Sequence, residues 1–340
     1  MKWYILLAFI IQFATGCGKK DFVGDNNMTV VFYNVENLFD IIDDPRKQDD
    51  EFTPEGPNKW SSQRYKKKLG DIAKVISSIN KHDLPEIVGL CEIENEKVLE
   101  DLISVKDLAS GKYSFIHYES PDVRGIDCAL IYRPEEFAVS GHSFIPVKLR
   151  DNPDYKTRHI LYVSGTAVNN EELHIFINHW PSRNGGVRAT ESKRLQVAEI
   201  LIHKVKEIRK KSPEGHIVIM GDLNDEPEDL SVSGVMKAFH GIEGTDKLTN
   251  LMVPEYNSGK GSYNYRGDWS MLDHIIVSGG LLDGKGWDCK NRQGYVFKRD
   301  WMEYTRKDGI KVPDRTYGGR DYFGGISDHF PVFFRLQWQN

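Results

Sequence analysis

Asparagine, aspartate, glutamate and histidine recur in this chain at one kind of place, the end of an apolar run. Asn34 and Glu36 follow Thr29 to Tyr33, Glu92 follows Ile87 to Leu90, and His179 follows Phe176-Ile177-Asn178. Asp222 and Asn224 follow Met220-Gly221, and Asp328-His329 stand just before the run that begins at Val332. If the runs are strands of open sheets, their ends are where ligands gather. Aligned, these residues make one hard-oxygen site with two imidazoles. Carboxylates and amides bind Mg2+ or Mn2+, and the ion neutralises phosphoryl oxygens, so the chemistry such a set suits is cleavage of a phosphate ester. Taken singly, each residue has a plainer reading: an Asn or Asp at a strand end caps a turn, and an exposed Glu meets water.

The elements that must bring these residues together alternate strand, helix, strand from Thr29 onward. Thr29 to Tyr33 and Ile87 to Leu90 read as strands covered on both faces. Between them Tyr65, Leu69, Ile72, Ile76 and Ile79 fall at helical spacing after Ser61, a capping residue, with Lys66, Lys67, Lys68 and Lys74 expected on the wet face. Asp40 to Gly56 is acidic, carries Pro45 and Pro54, and reads as a loop. A second helix is expected over Glu94 to Val105, then strands over Ser114 to Tyr118, Asp127 to Tyr132, His159 to Val168 and Leu173 to Asn178. Arg188 to Lys210 is the longest helical pattern and leads into Ile217 to Met220; later strands are Leu272 to Val277 and Val332 to Leu336. Gly284 to Gly325, rich in glycine and aromatics, is expected to be irregular. With no internal repeat, a single layered α/β domain of two packed sheets over residues 29–340 is the economical architecture.

Composition narrows the function classes. The 340 residues carry 45 Lys and Arg against 50 Asp and Glu, a formal charge of -5, with 39% hydrophobic and 28% charged residues. That excludes general disorder, and it means any polyanion must be held by a local basic patch or a bound cation rather than by bulk field. At the amino end Lys2, the apolar run Trp3 to Phe13 and Ala14-Thr15-Gly16-Cys17 read as a bacterial lipoprotein signal over residues 1–16, followed by a tether over 17–28. The run is too short to span a bilayer, which needs ~20 helical residues, so Cys17 is the expected site of lipidation and the bacterial cell envelope the expected location. After such processing Cys91, Cys128 and Cys289 remain; none has zinc-ligand spacing.

Tyr33-Asn34-Val35-Glu36-Asn37, Leu90-Cys91-Glu92-Ile93, Asn178-His179-Trp180, Gly221-Asp222-Leu223-Asn224, Leu272-Asp273-His274 and Ser327-Asp328-His329-Phe330-Pro331 resemble, in order, the motifs of the endonuclease/exonuclease/phosphatase superfamily. Asp127 to Tyr132 with Arg124 before it, and Trp180-Pro181-Ser182-Arg183, look like its branch of predicted secreted nucleases. The resemblance implies a four-layer α/β sandwich, two packed mixed sheets flanked by helices, and metal-dependent hydrolysis of phosphate esters. Carried over residue by residue, it implies Glu92 as principal metal carboxylate, Asn34 and Asp328 as further ligands and Glu36 as a second acidic ligand, for Mg2+ or Mn2+. It implies Asp222 and Asn224 orienting the attacking water, His179 donating to the phosphate, and His329 as catalytic imidazole with Asp273 holding its tautomer. Which of Asp222 and His329 is the base stays open. Arg124, Arg183, Arg188 and Tyr265 are candidate substrate contacts: Gly185-Gly186 allow close backbone approach, which favours phosphate contact by Arg183 and Arg188 over mere solvation of a loop, whereas a late-loop tyrosine more often packs on a sheet edge. An exported, metal-dependent nuclease is the first reading; a phosphatase or phosphodiesterase for sugars, inositols or lipid headgroups, the alternative, shares every catalytic residue, and a non-catalytic surface lipoprotein is the remaining class. No protein partner is implied, and a monomer is expected.

Overall fold

A computed structural model describes residues 26–213, 215–241 and 244–339. The expected signal segment and Cys17 lie outside these residues. Two sheets pack face to face. The first contains β1 (Asn27–Leu38), β2 (Ile87–Ile93), β3 (Ser114–His117), β4 (Asp127–Tyr132), β13 (Gly286–Asp288), β14 (Tyr295–Val296) and β19 (Val332–Gln339). Its order is β13-β19-β1-β2-β4-β3, with β14 also on β19. The second contains β5 (Phe137–Ile145), β6 (Ile160–Ala167), β7 (Glu172–His179), β8 (His216–Asp222), β9 (Leu248–Asn250) and β12 (Asp273–Ser278), in the order β5-β6-β7-β8-β12-β9. Both are mixed: β1 and β2 run parallel, as do β7 and β8, and the other pairs are antiparallel. Three short hairpins, β10 and β11 (Tyr263–Tyr265, Asp268–Ser270), β15 and β16 (Glu303–Thr305, Lys311–Pro313) and β17 and β18 (Tyr317–Gly318, Asp321–Tyr322), stand outside the sheets.

Alternation along each strand feeds separate apolar layers. On β1, Val31, Tyr33 and Val35 face helices α1 (Ser62–Ser77) and α2 (Glu96–Ile103), while Val30 and Phe32 face the second sheet. On β8, Val218 and Met220 face inward, and Ile217 and Ile219 meet helix α4 (Val187–Lys211) through Val197, Ala198, Leu201, Val205 and Ile208. The result is helix, sheet, sheet, helix, the four-layer sandwich. Two short helices, α3 (Lys106–Ala109) and α5 (Val253–Asn257), complete the set.

Local features differ from expectation. β5 is an additional edge strand, and the segment Gly284 to Gly325, expected to be irregular, carries the short strands β13 to β18. β1 begins at Asn27, inside the segment expected as tether. The second helix starts only at Glu96, because Asn95 caps it by accepting from the amide of Val98, and the chain breaks at Ser104 before α3. Lys68, expected on the wet face of α1, is buried: its Nζ donates to Thr316 Oγ1 and to the carbonyl of Ile326, so the loop rich in glycine covers this side of the helix. A long aliphatic stem lets a lysine occupy such a place when its head is hydrogen-bonded.

Candidate active site

All the motif residues sit at one end of the sandwich. β1, β2, β7 and β8 end there, and β4, β12 and β19 begin there. Parallel pairing of β1 with β2 places Asn34 opposite Cys91; the parallel pairing of β7 with β8 places His179 opposite Asp222, which on its other side opposes Asp273 of β12. The backbone tightens at this end. Asn178 and Gly221 are register partners, and a Cβ on Gly221 would lie 2.4 Å from the carbonyl oxygen of Asn178, so only glycine lets Asp222 come so close.

Irregularity aims the carboxylates. β1 shifts register against β2 between Asn34 and Leu38, and β2 shifts against β4 between Cys91 and Ile93. Such bulges turn side chains out of the pleat alternation. Within them Glu36 (φ 51°), Asn37 (φ 55°) and Glu92 (φ 64°) take left-handed backbone, as does Asn224 (φ 51°) after β8. Non-glycine residues held there cost about 1–2 kcal/mol each, a strain that clusters at functional sites.

The side chains form a connected set. Asn34 Nδ2 donates to Asp222 Oδ2 at 3.1 Å, and Asp222 Oδ1 accepts the amide of Asn224 at 2.9 Å. His179 Nε2 lies 3.6 Å from Asp222 Oδ2 and 3.8 Å from Glu92 Oε1. His329 Nδ1 is 2.7 Å from Asp273 Oδ2, and its Nε2 is 3.9 Å from Asp222 Oδ2 and 4.0 Å from Asp328 Oδ1. Ser327 anchors this end of the chain by donating to the Asn34 carbonyl and accepting the His329 amide.

Opposite charge states are built into the two histidines. Burial pushes His179 well below its ordinary range, and the nearby cations Arg158, Arg124 and His329 push the same way, so it is neutral. Burial also acts to lower His329, but Asp273, Asp222 and Asp328 together outweigh it and hold the ring well above its usual value, as an imidazolium. Asp222 is raised to about 7, chiefly by burial and then by Asp273, against the pull of His329.

Donors for a metal ion are present. Glu92 Oε2 accepts the amide of Asn37 at 2.8 Å, while Oε1 has no hydrogen bond among the described residues. Asp328 Oδ1 likewise faces only His329, with Oδ2 taken by Arg315 at 2.9 Å. Carboxylate oxygens left open in this way suit a hard divalent cation; the Asn34 amide is already engaged, its Oδ1 accepting the Glu36 amide at 3.0 Å and its Nδ2 donating to Asp222. Asp222, Asp273 and His329 also bring ligand atoms within 4.8 Å of one another, but Asp273 and Nδ1 of His329 already bind each other, so Glu92 and Asp328 fit better. Glu36 is aimed elsewhere: its oxygens meet the amides of Thr316 and Tyr317 at 2.6 and 3.5 Å, with Arg315 at 3.6 Å.

The candidate substrate residues divide. Arg124 Nε lies 3.8 Å from Asp122, and its charge reaches His179. Arg183 is a loop clamp, donating to the Asn224 carbonyl and to Asp229, each at 2.7 Å. Arg188 is exposed in the first turn of α4 and forms no ion pair among the described residues. Tyr265 is exposed on the β10 hairpin, whose Tyr263 ring lies 4.8 Å from the His329 ring. Arg158 and Arg315 were not singled out from the sequence. Arg158 is buried, holding the carbonyl of Trp180 at 2.6 Å and Asp122 at 3.1 Å, just behind His179. Arg315 joins Glu36 to Asp328 from the irregular late segment. Neither carries a periodic or motif signal; position in space alone marks them.

A four-layer α/β sandwich whose converging strand ends carry an Asp-His pair, a second neutral imidazole and free carboxylates defines a phosphoester hydrolase of the kind expected from the motifs. The chain belongs to the endonuclease/exonuclease/phosphatase family, whose profile matches residues 29–338. No curated protein matches the sequence. Among solved structures it is similar to truncated Caenorhabditis elegans TDP2 (14% identity, TM-score 0.55, covering 92% of this chain and 98% of that one). It is similar also to the mannosyl-6-phosphatase Bt3783 of Bacteroides thetaiotaomicron VPI-5482 (18%, TM-score 0.56, 92% and 100%) and to the human Nocturnin catalytic domain with bound sulfate (14%, TM-score 0.54, 93% and 96%). At these identities the likeness shows the fold.

Proposed function

We propose that this protein is an exported, divalent-cation-dependent phosphodiesterase acting on nucleic acid, monomeric and tethered to the bacterial envelope through a lipid on Cys17. The observation that carries the substrate class is the β10 hairpin. Tyr263 packs on the His329 ring, and Tyr265, two residues along the same strand face, is 56% exposed with the Arg266 guanidinium 5.2 Å from its ring. An aromatic ring beside an arginine at the mouth of a phosphoryl site is a platform for stacking a base.

Mg2+, or Mn2+, would be held by Glu92 with Asn34 and Asp328, and when bound it supplies positive charge to the phosphoryl oxygens. The protein groups do the rest. Asp222, with a pKa near neutrality, takes a proton from the water it orients with Asn224 as that oxygen bonds to phosphorus in line. Neutral His179 donates a hydrogen bond to a phosphoryl oxygen. The His329 imidazolium, held by Asp273, gives its Nε2 proton to the departing ester oxygen.

A second reading, a phosphatase for a sugar or headgroup monoester, is favoured by Arg315, whose partly exposed guanidinium offers the extra positive charge a monoester dianion needs. The protein from residue 18 onward, assayed on DNA, RNA, bis-p-nitrophenyl phosphate and p-nitrophenyl phosphate with Mg2+, Mn2+ or EDTA, separates the two. Diester turnover without monoester turnover supports the nuclease; the reverse replaces it with the phosphatase.

A further inference from the structure

At the start of β4 and the end of β3 lies a second group of ligating side chains that the hydrolytic site does not use. His117 Nε2 and Asp127 Oδ2 stand 3.4 Å apart, and a carboxylate oxygen of Glu119 completes a set whose atoms all lie within 4.8 Å of one another. The His117 and Asp127 side chains are each 1% exposed, and apart from this ion-pair approach to each other neither Nε2 nor Oδ2 has a hydrogen-bond partner among the described residues. Two buried atoms without a hydrogen bond in one spot are costly, because the great majority of buried polar atoms in folded proteins are satisfied.

Their spacing offers a reason. Two ligands each about 2.1 Å from one ion at a tetrahedral angle stand about 3.4 Å from each other. The Asp127 carboxylate is also locked in place, since its other oxygen accepts the amide of Ser120 at 3.0 Å, which is how ligating carboxylates are oriented by their surroundings. Glu119 is 57% exposed on its side chain and pairs with Lys47 at 3.2 Å. Lys47 in turn donates to the Ser120 carbonyl at 3.0 Å, so it keeps a partner if Glu119 turns inward. Access is open: His117 and Glu119 line a groove of about 1100 Å3 between the edge strands β3 and β5, shared with Tyr118 and His142.

We propose that His117, Asp127 and Glu119 form a zinc-class cation site, separate in its ligands from the Glu92 site, that ties the β3 edge to β4 and leaves a fourth position open to the groove. One imidazole with two carboxylates suits a borderline first-row ion such as Zn2+ better than Mg2+ or Ca2+, which prefer oxygen alone.

The test needs no turnover and does not rest on the nuclease reading. Zn2+ binding is measured by competition with a chromogenic chelator, and melting temperature with and without Zn2+, in a Glu92→Gln background that disables the first site. One equivalent of Zn2+ should remain bound and raise the melting temperature. Adding Glu119→Gln should weaken binding on the order of tenfold or more and abolish the rise; adding His117→Ala should remove binding. His117 is buried and its variant can fail to fold, but Glu119 is exposed, so that arm decides in either case. Retention of no Zn2+ by the Glu92→Gln protein, or unchanged affinity on adding Glu119→Gln, overturns the proposal.

Discussion

Asp273 and His329 lie 56 positions apart in the chain, yet Oδ2 of one is 2.7 Å from Nδ1 of the other, and both are buried. The contact exists because β12 begins and β19 is about to begin at the same end of the sandwich. It fixes the ring so that Nε2 faces Asp222. Residues that act as a unit lose their effect non-additively. Asp273→Asn should cost on the order of a hundredfold in kcat/KM, His329→Ala at least as much, and the double variant little further. Because Asp273 raises the pKa of His329, Asp273→Asn should also move the alkaline limb of the pH profile to lower pH. Additive losses with an unmoved limb would break the assignment.

Glu92 is expected to act through the metal rather than the fold. Its Oε1 is free, so Glu92→Gln removes a charge without orphaning a partner there. The variant should melt near the wild type, bind Mn2+ at least tenfold more weakly and be inactive at low metal, as EDTA-treated wild type should be. Near-normal turnover at micromolar Mn2+ would exclude Glu92 as a ligand.

Arg315 holds Asp328 Oδ2 at 2.9 Å. Removing the guanidinium should leave that carboxylate freer for a cation and the phosphoryl group less well held. Arg315→Ala is therefore expected to lower the Mg2+ concentration for half-maximal rate while raising KM several-fold, with the larger rise on a monoester. Parallel titrations of metal and substrate read both; movement of both in the same direction would refute this balance.

Glu94, two residues beyond Glu92, sets a pH dependence of stability. It accepts the amide of Asp40 at 2.6 Å, and burial, then the neighbouring carboxylates Asp40, Asp49 and Glu119, raise its pKa to about 8. Relative to an unfolded value near 4.3, a raised pKa means its contribution is fully present below about pH 4 and is lost as pH climbs through 8. Glu94→Gln should flatten that decline and stabilise the protein at pH 8 by a few kcal/mol at most, on the order of the shift. Melting curves at pH 5 and pH 8 test it; equal pH dependence in both proteins would discard it.

The proposed lipid anchor rests on the sequence around Cys17. Cys17→Ser should abolish incorporation of labelled palmitate and release the protein from the membrane fraction. Absence of label in the wild type would remove the anchor.

Continuous apolar runs made the buried strands of both sheets readable, because β1, β2, β7 and β8 are covered on both faces and need no subtler pattern. β5 lacks such a run: it is an edge strand, mostly exposed, and Ser140-Gly141-His142-Ser143 splits its apolar residues into two short pieces. The motif residues were legible as a set, since each stands at one end of an apolar run, after it or just at its start. Their geometry was not. Nothing local announces that Glu92 takes left-handed backbone in a bulge, or that Glu36 turns away to the amides of Thr316 and Tyr317. Lys68 gets its partners, and Arg315 its place, from the late segment, which folds over α1 and the end of β1 from some 250 residues away in the chain.

Glu92 and Asn224 hold backbone that glycine adopts freely. With the roles proposed for them, chemistry and conformation at these two positions pull toward different amino acids, and selection for turnover keeps the costlier choice. A descendant copy freed from that selection can exchange them for glycine with the sheets intact. Loss of activity in this lineage should then leave a recognisable scar: a complete sandwich with glycines at the bulge of β2 and just after β8, well folded and inert.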